Sequence, residues 1–124
     1  MRTVKDIIIS SDGKRRRVRA LFDSGATINY LKPEIARVFP GHSTVTDPLT
    51  VGLGGRRHII REVVPLTVRI EKHKMPLQIF HVADLKKFDA VIGAFFMEQW
   101  GVALDPKRKQ LVIKRDRLEL QEEF

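Results

Sequence analysis

The sequence predicts an all-β domain of barrel-like or sandwich architecture, and three observations carry that expectation. Short apolar runs, several of them alternating with polar residues, follow one another through the chain. Turn-forming clusters punctuate them at Ser10-Ser11-Asp12-Gly13, Gly52–Gly55, Glu71–Lys74 and Pro106–Lys109. Only two stretches, Lys32 to Phe39 and Ala94 to Trp100, have helical character. Many short strands with few helices favour sheet closed on or packed against sheet.

Taken in order, Thr3 to Ile9 is a Val- and Ile-rich strand, and Asp12-Gly13 is the strongest two-residue hairpin signal. Arg16 to Phe22 returns with Val18, Ala20 and Phe22 on one face and Arg17 and Arg19 on the other. Thr27 to Leu31 is a further apolar stretch. The Lys32 to Phe39 helix has a proline near its start and Glu34 in its first turn, and Pro40-Gly41 stops it. Ser43 to Gly52 is extended, with Pro48 marking an edge strand. Arg56 to Val64 returns, which makes Gly52, Leu53, Gly54 and Gly55 the tip of a long hairpin. Leu66 to Ile70 then pairs with Leu77 to Val82. Phe88 to Gly93 is a strand ending in glycine, Ala94 to Trp100 is a short apolar helix, and Gly101 caps it. Val102 to Asp105 and Gln110 to Lys114 form a last hairpin.

The 124 residues suffice for one domain that buries roughly two-thirds of its unfolded surface. Cysteine is absent, which excludes disulfides, thiol catalysis and cysteine metal sites and fits a reducing, cytoplasmic compartment. No apolar run is long enough for a membrane helix. No cofactor or metal is expected, because His42, His58, His73 and His81 have no metal-ligand spacing. The net charge of +8 raises nucleic acid as a partner. Its basic clusters fall in turns and have few aromatics beside them, so nucleic acid is possible but not favoured. Residues 116–124 carry four acids against one arginine and form an acidic tail to a domain spanning residues 1–115.

The stretch that carries chemistry is Ala20-Leu21-Phe22-Asp23-Ser24-Gly25-Ala26-Thr27. An apolar run delivers a carboxylate into a small-residue turn, where burial is costly unless the acid is hydrogen-bonded or chemically active. A simple turn after a strand would use the same residues. A serine-hydrolase elbow is excluded, because Phe22 and Ala26 stand where that motif needs glycines. A phosphate loop at Gly52-Leu53-Gly54-Gly55 fails, since it sits in a hairpin and not before a helix.

The order of these parts resembles the retroviral-type aspartic proteases, the retropepsins and their cellular and bacterial relatives. The shared pattern is an N-terminal hairpin, Asp23-Ser24-Gly25-Ala26-Thr27, the Gly52–Gly55 flap, and Val91-Ile92-Gly93 leading into a helix. It spans about residues 3 to 115. The resemblance implies a half-barrel with a flap hairpin and one or two short helices. It also implies an aspartic endopeptidase that hydrolyses protein or peptide substrates. Asp23 would be the catalytic residue and Ser24 would brace paired loops. Gly25 would admit substrate, the flap would close over it, and Val91, Ile92 and Gly93 would be structural. The chemistry needs two carboxylates, one ionised to activate water and one protonated to hydrogen-bond the scissile carbonyl oxygen. Two like charges about 3 Å apart cannot both ionise, so the pair shares one proton. The chain has one such loop, and Asp12 is followed directly by Gly13, so the second Asp23 must come from a homodimer partner. Two departures push toward the cellular or bacterial branch: Ala94 and Phe95, not arginine, follow Gly93, and Thr27-Ile28-Asn29 replaces further acids. The alternative is a catalytically silent dimer that binds a peptide or nucleic acid on the same fold.

Overall fold

The computed structural model describes residues 2–114. The tail expected at 116–124 lies outside the described residues. Nine strands and two short helices follow one another as β1 (Arg2–Ser11), β2 (Lys14–Asp23), β3 (Asn29–Leu31), α1 (Pro33–Ala36), β4 (Ser43–Leu53), β5 (Arg56–Ile70), β6 (His73–Val82), β7 (Ala90–Ile92), α2 (Ala94–Trp100), β8 (Val102–Asp105) and β9 (Gln110–Ile113). The main sheet runs β1-β2-β7-β3-β6-β5-β4. The expected all-β half-barrel is present and goes one step further. Ile8, Ile9 and Ser10 of β1 pair with Arg69, Val68 and Thr67 of β5, which closes six strands into a ring and leaves β4 at the edge. β8 and β9 form a separate small sheet.

Local turn chemistry explains the two long hairpins. Asp12 (φ 47°) and Gly13 (φ 81°) are both left-handed, as a two-residue turn between twisted strands requires. Gly54 (φ 59°) and Gly55 (φ 75°) repeat the arrangement between Leu53 and Arg56. Gly52 sits in the β4 ladder opposite Arg57 and needs no such freedom. Pro48 lies on the edge strand, where the register slips between Thr44 and Leu49.

Alternation along β1 and β2 sends Ile7, Ile9, Val18, Ala20 and Phe22 inward, to pack with Phe80, Ile92 and Phe96. Burying one such large side chain stabilises the fold by about 1.5–3 kcal/mol. At the end of β2 the pattern changes, because Leu21 is buried as well. It joins a second cluster with Tyr30, Ile60 and Val91 on the groove side of the barrel. The last turn of β2 is therefore clamped from both faces, and Asp23 is the next residue.

Four expectations need correction. Leu66 to Ile70 meet His73 to Gln78 and not Leu77 to Val82, because the turn shrinks to Glu71-Lys72. The Lys32 to Phe39 helix reduces to Pro33–Ala36, and turn-type bonds from Val38 N–H to Ile35 O and from Phe39 N–H to Ala36 O finish the segment. Arg56 to Val64 and Leu66 to Ile70 are one strand, β5, which runs through Pro65. A register irregularity between Leu66 and Val68 accommodates the change of partner. Phe88 and Asp89 precede β7, which holds only Ala90 to Ile92. The helix at Ala94 to Trp100 is as expected. Gly101 (φ 66°) ends it by donating its N–H to Met97 O.

Candidate active site

The Asp23 loop is held in place by β7. This strand lies between β2 and β3, parallel to the first (Leu21 opposite Val91, Phe22 opposite Ile92) and antiparallel to the second (Tyr30 opposite Val91). Leaving β2, the chain turns through Ser24 and Gly25, and Ala26 N–H closes the turn on Asp23 O at 3.0 Å. The loop then receives the start of α2. Ala94 N–H donates to Ala26 O at 2.7 Å and Phe95 N–H to Thr27 O at 3.1 Å. Two of the helix's unpaired first N–H groups thus serve as pins for the loop.

Gly93 is the tightest point of this junction. A Cβ there would lie 2.5 Å from Ile28 O, 2.8 Å from Ile28 N and 2.8 Å from Thr27 C, all backbone atoms. Its N–H donates to Oδ1 of buried Asn29 at 3.0 Å, and Asn29 Nδ2 donates in turn to Ile79 O at 3.4 Å. Asn29 O accepts or faces His81 Nδ1 at 3.0 Å, according to the ring tautomer. Asp89 fixes the other end of β7. Its Oδ2 accepts Arg19 N–H at 2.9 Å, its own N–H donates to Arg19 O, its carbonyl accepts Lys32 N–H, and Lys32 Nζ lies 3.7 Å from Oδ1.

The Asp23 side chain is about one-quarter exposed and points into a groove of about 480 Å³. Gly25 N–H donates to Asp23 Oδ1 at 2.9 Å, and a Cβ on Gly25 would crowd that oxygen at 3.2 Å. The glycine permits this close approach. The other oxygen, Oδ2, lies 3.6 Å from Nε of Arg2, the residue opposite Asp23 in the β1–β2 ladder. Arg2 is largely solvated, so this contact is screened and weak. Leu53 and Gly54 of the β4–β5 tip roof the same groove, and Leu21 and Val91 line it. Across it, Lys86 Nζ donates to Asp84 Oδ2 at 2.7 Å. That bond, with Arg56 and His58 nearby, holds the Asp84 carboxyl below its usual range.

Asp23, Ser24, Gly25, Ala26 and Thr27 thus form one loop. Leu53, Gly54 and Val91 meet Asp23 at the groove, Ile92 is in the barrel core, and Gly93 sits beneath the loop. Gly55 completes the two-residue turn, and Gly52 lies in β4 two residues before it. Ser24 does not line the groove; it borders a separate hollow of about 350 Å³ with Met97 and Glu98 of α2. Sequence reasoning missed Arg2, Asn29 and Asp89. Only Asn29, a polar residue inside an apolar stretch, left a local signal.

Among the described residues, no cluster of three His, Cys, Asp or Glu side chains is arranged to hold a metal ion, and no helix is long and apolar enough to cross a membrane.

No family model matches the chain, and no curated protein does. Solved structures do. The retroviral protease-like domain of Ddi1 from Leishmania major is similar at a TM-score of 0.59 and 19% identity, over 91% of this chain and 90% of that one. EIAV protease in complex with the inhibitor HBY-793 is similar at a TM-score of 0.58 and 17% identity, over 85% of this chain and 93% of that one. At such identities the likeness is one of architecture, and on it this chain has the retropepsin-like fold.

Proposed function

We propose that the protein is an aspartic endopeptidase that works as a homodimer, with the two Asp23 carboxylates paired across a two-fold axis. One observation carries the reading: the Asp23 carboxylate, fixed by the Gly25 N–H, lies in a groove roofed by a glycine-tipped hairpin. In the paired site one Asp23 is ionised and its copy keeps the shared proton. The ionised carboxylate takes a proton from water as the water oxygen bonds to the scissile carbonyl carbon. The protonated copy gives its proton to the carbonyl oxygen. As the resulting gem-diol collapses, the C–N bond breaks and the leaving nitrogen takes the proton held by the carboxyl that deprotonated water. One gem-diol hydroxyl gives its proton to the other carboxylate, which restores a pair with one proton. Ser24 braces one loop against the other, and the Gly52, Leu53, Gly54 and Gly55 tip closes over the peptide and excludes water.

The dimer face proposed is the side of the loop that bears Ser24 and α2. There Phe95 is 62% exposed beside Thr27, an apolar ring that a partner would cover. The reading is tested by incubating the protein with a peptide library at acidic pH, with and without an inhibitor directed at aspartic proteases. Inhibitable cleavage that disappears in folded Asp23→Asn protein is the expected result. Undiminished cleavage by Asp23→Asn would overturn the mechanism. The Arg2 contact with Asp23 favours a second reading, a silent binding groove. That reading predicts peptide binding with no cleavage at any pH.

A further inference from the structure

The groove over Asp23 continues into a second cleft of about 620 Å³, and the two share Arg2, Leu21, Lys87 and Phe88. Together they make one path from the hairpin tip, past Asp23, to Lys109 in the β8–β9 turn. Charge along this path is unbalanced. Arg2, Lys86, Lys87 and Lys109 face it as formal cations, against the two carboxylates Asp23 and Asp84. Both acids are already engaged, Asp23 by Arg2 and Asp84 by Lys86. Lys87 and Lys109 are exposed and have no carboxylate partner among the described residues. Between the charges the wall is apolar, formed by Leu21, Leu53, Val91 and Phe88.

We infer that this path selects acidic peptide segments: an apolar residue seated against Leu21 and Val91, with Glu or Asp side chains beside it held by Lys87 and Lys109. The inference rests on the reading that the groove takes a peptide. An apolar centre flanked by anions matches a wall flanked by cations, and unpaired lysines offer full donor capacity to carboxylates. A nucleic acid fits less well. Phe88 and His58 are the only aromatic rings lining the path, too few for a stacking platform, and the Asp23 and Asp84 carboxylates would face phosphates.

The test uses full-length Asp23→Asn protein, so that binding is read without cleavage. Fluorescent peptides share one apolar centre and differ only in Glu, Gln or Lys flanks. Anisotropy is measured at about 50 and 200 mM salt, and wild-type protein is assayed for cleavage of the same set. The Glu peptide should bind best, with roughly a two- to fivefold gain for each matched lysine that shrinks at the higher salt. Lys87→Gln should remove its share, and Lys87→Glu should shift the preference toward the Lys peptide. Lys107→Gln, in the same turn as Lys109 but outside both clefts, should change nothing.

Equal affinities for all flanks would overturn the inference. Cleavage of that set by wild-type protein would then leave the peptidase reading standing. Acidic peptide bound through Lys87 but never cut would uphold the inference and sink the peptidase. An oligonucleotide that displaces the Glu peptide and binds more tightly through Lys87 would replace the peptide with nucleic acid. Binding and cleavage of no peptide at all would overturn both.

Discussion

Gly93→Ala is the perturbation whose size can be worked most directly. The added Cβ would stand 2.5 Å from Ile28 O, against an ordinary contact starting at 3.4 Å, so the junction must open by about 0.9 Å. The obstructing atoms are backbone, so no side chain can rotate away. Opening also stretches the 3.0 Å bond from Gly93 N–H to Asn29 and the 2.7 Å bond from Ala94 N–H to Ala26. Overpacking costs about 1–3 kcal/mol, and weakening one buried hydrogen bond adds about 1. The expected loss is roughly 2–4 kcal/mol, which for a domain of this size lowers Tm by about 8–16 °C. Because the displaced Thr27-Ile28 segment continues the Asp23 loop, peptide cleavage should fall by about a hundredfold even well below the new Tm. Urea unfolding at neutral pH reads the first quantity, and initial rates on a cleaved library peptide read the second. Asn29→Ala is the companion variant. It leaves the Gly93 N–H and Ile79 O without their partner and should cost about 1–3 kcal/mol with no clash. A Gly93→Ala protein as stable and as active as wild type would refute the packing of Gly93 beneath the loop.

Two further outcomes are expected. Amides of the Gly52–Gly55 tip should exchange quickly in the free protein and slowly with a peptidic inhibitor bound; equal exchange in both states would show that this hairpin does not cover the groove. Glu62, hydrogen-bonded by His42 at 3.0 Å and Arg37 at 3.1 Å, is held below its ordinary value of 4.5. Its ionised form is the stabilised one, so the contribution is complete above about pH 4.5 and lost as the pH falls through the lowered value. Glu62→Gln should therefore destabilise at pH 7 and approach wild type near pH 3 in urea unfolding, and a gap that widened in acid would contradict the assignment.

What could be read from the chain was what short-range chemistry decides. Asp12-Gly13, Gly54-Gly55 and Gly101 all fulfil their turn and cap roles, because each depends on a few neighbouring dihedrals. The Asp23-Ser24-Gly25 loop was legible for the same reason. Pro65 misled, since proline suggests a strand boundary and here sits inside a 15-residue strand whose partners change around it. The Thr27 to Leu31 stretch reads only as one apolar run. Only Asn29 to Leu31 pair as β3, because the carbonyls of Ala26 and Thr27 receive α2. The contacts that build the site escaped sequence reading altogether. Arg2 faces Asp23 through ladder register, Asn29 meets Gly93 across 64 residues, and Asp89 grips Arg19 across 70. The last two depend on β7 entering between β2 and β3, a non-local event with no periodic signature, whereas the first follows from the β1–β2 hairpin register.

The central claim is that two Asp23 carboxylates from two chains make one site, and mixed dimers test it most directly. Wild-type chains at fixed concentration are equilibrated with a ninefold excess of folded Asp23→Asn chains, and the cleavage rate is compared with wild type alone. An isologous pair that needs both carboxylates leaves active only the wild-type homodimers, so activity per wild-type chain should fall to about one-tenth. Activity unchanged by the excess, in chains shown by light scattering to exchange partners, would contradict the account.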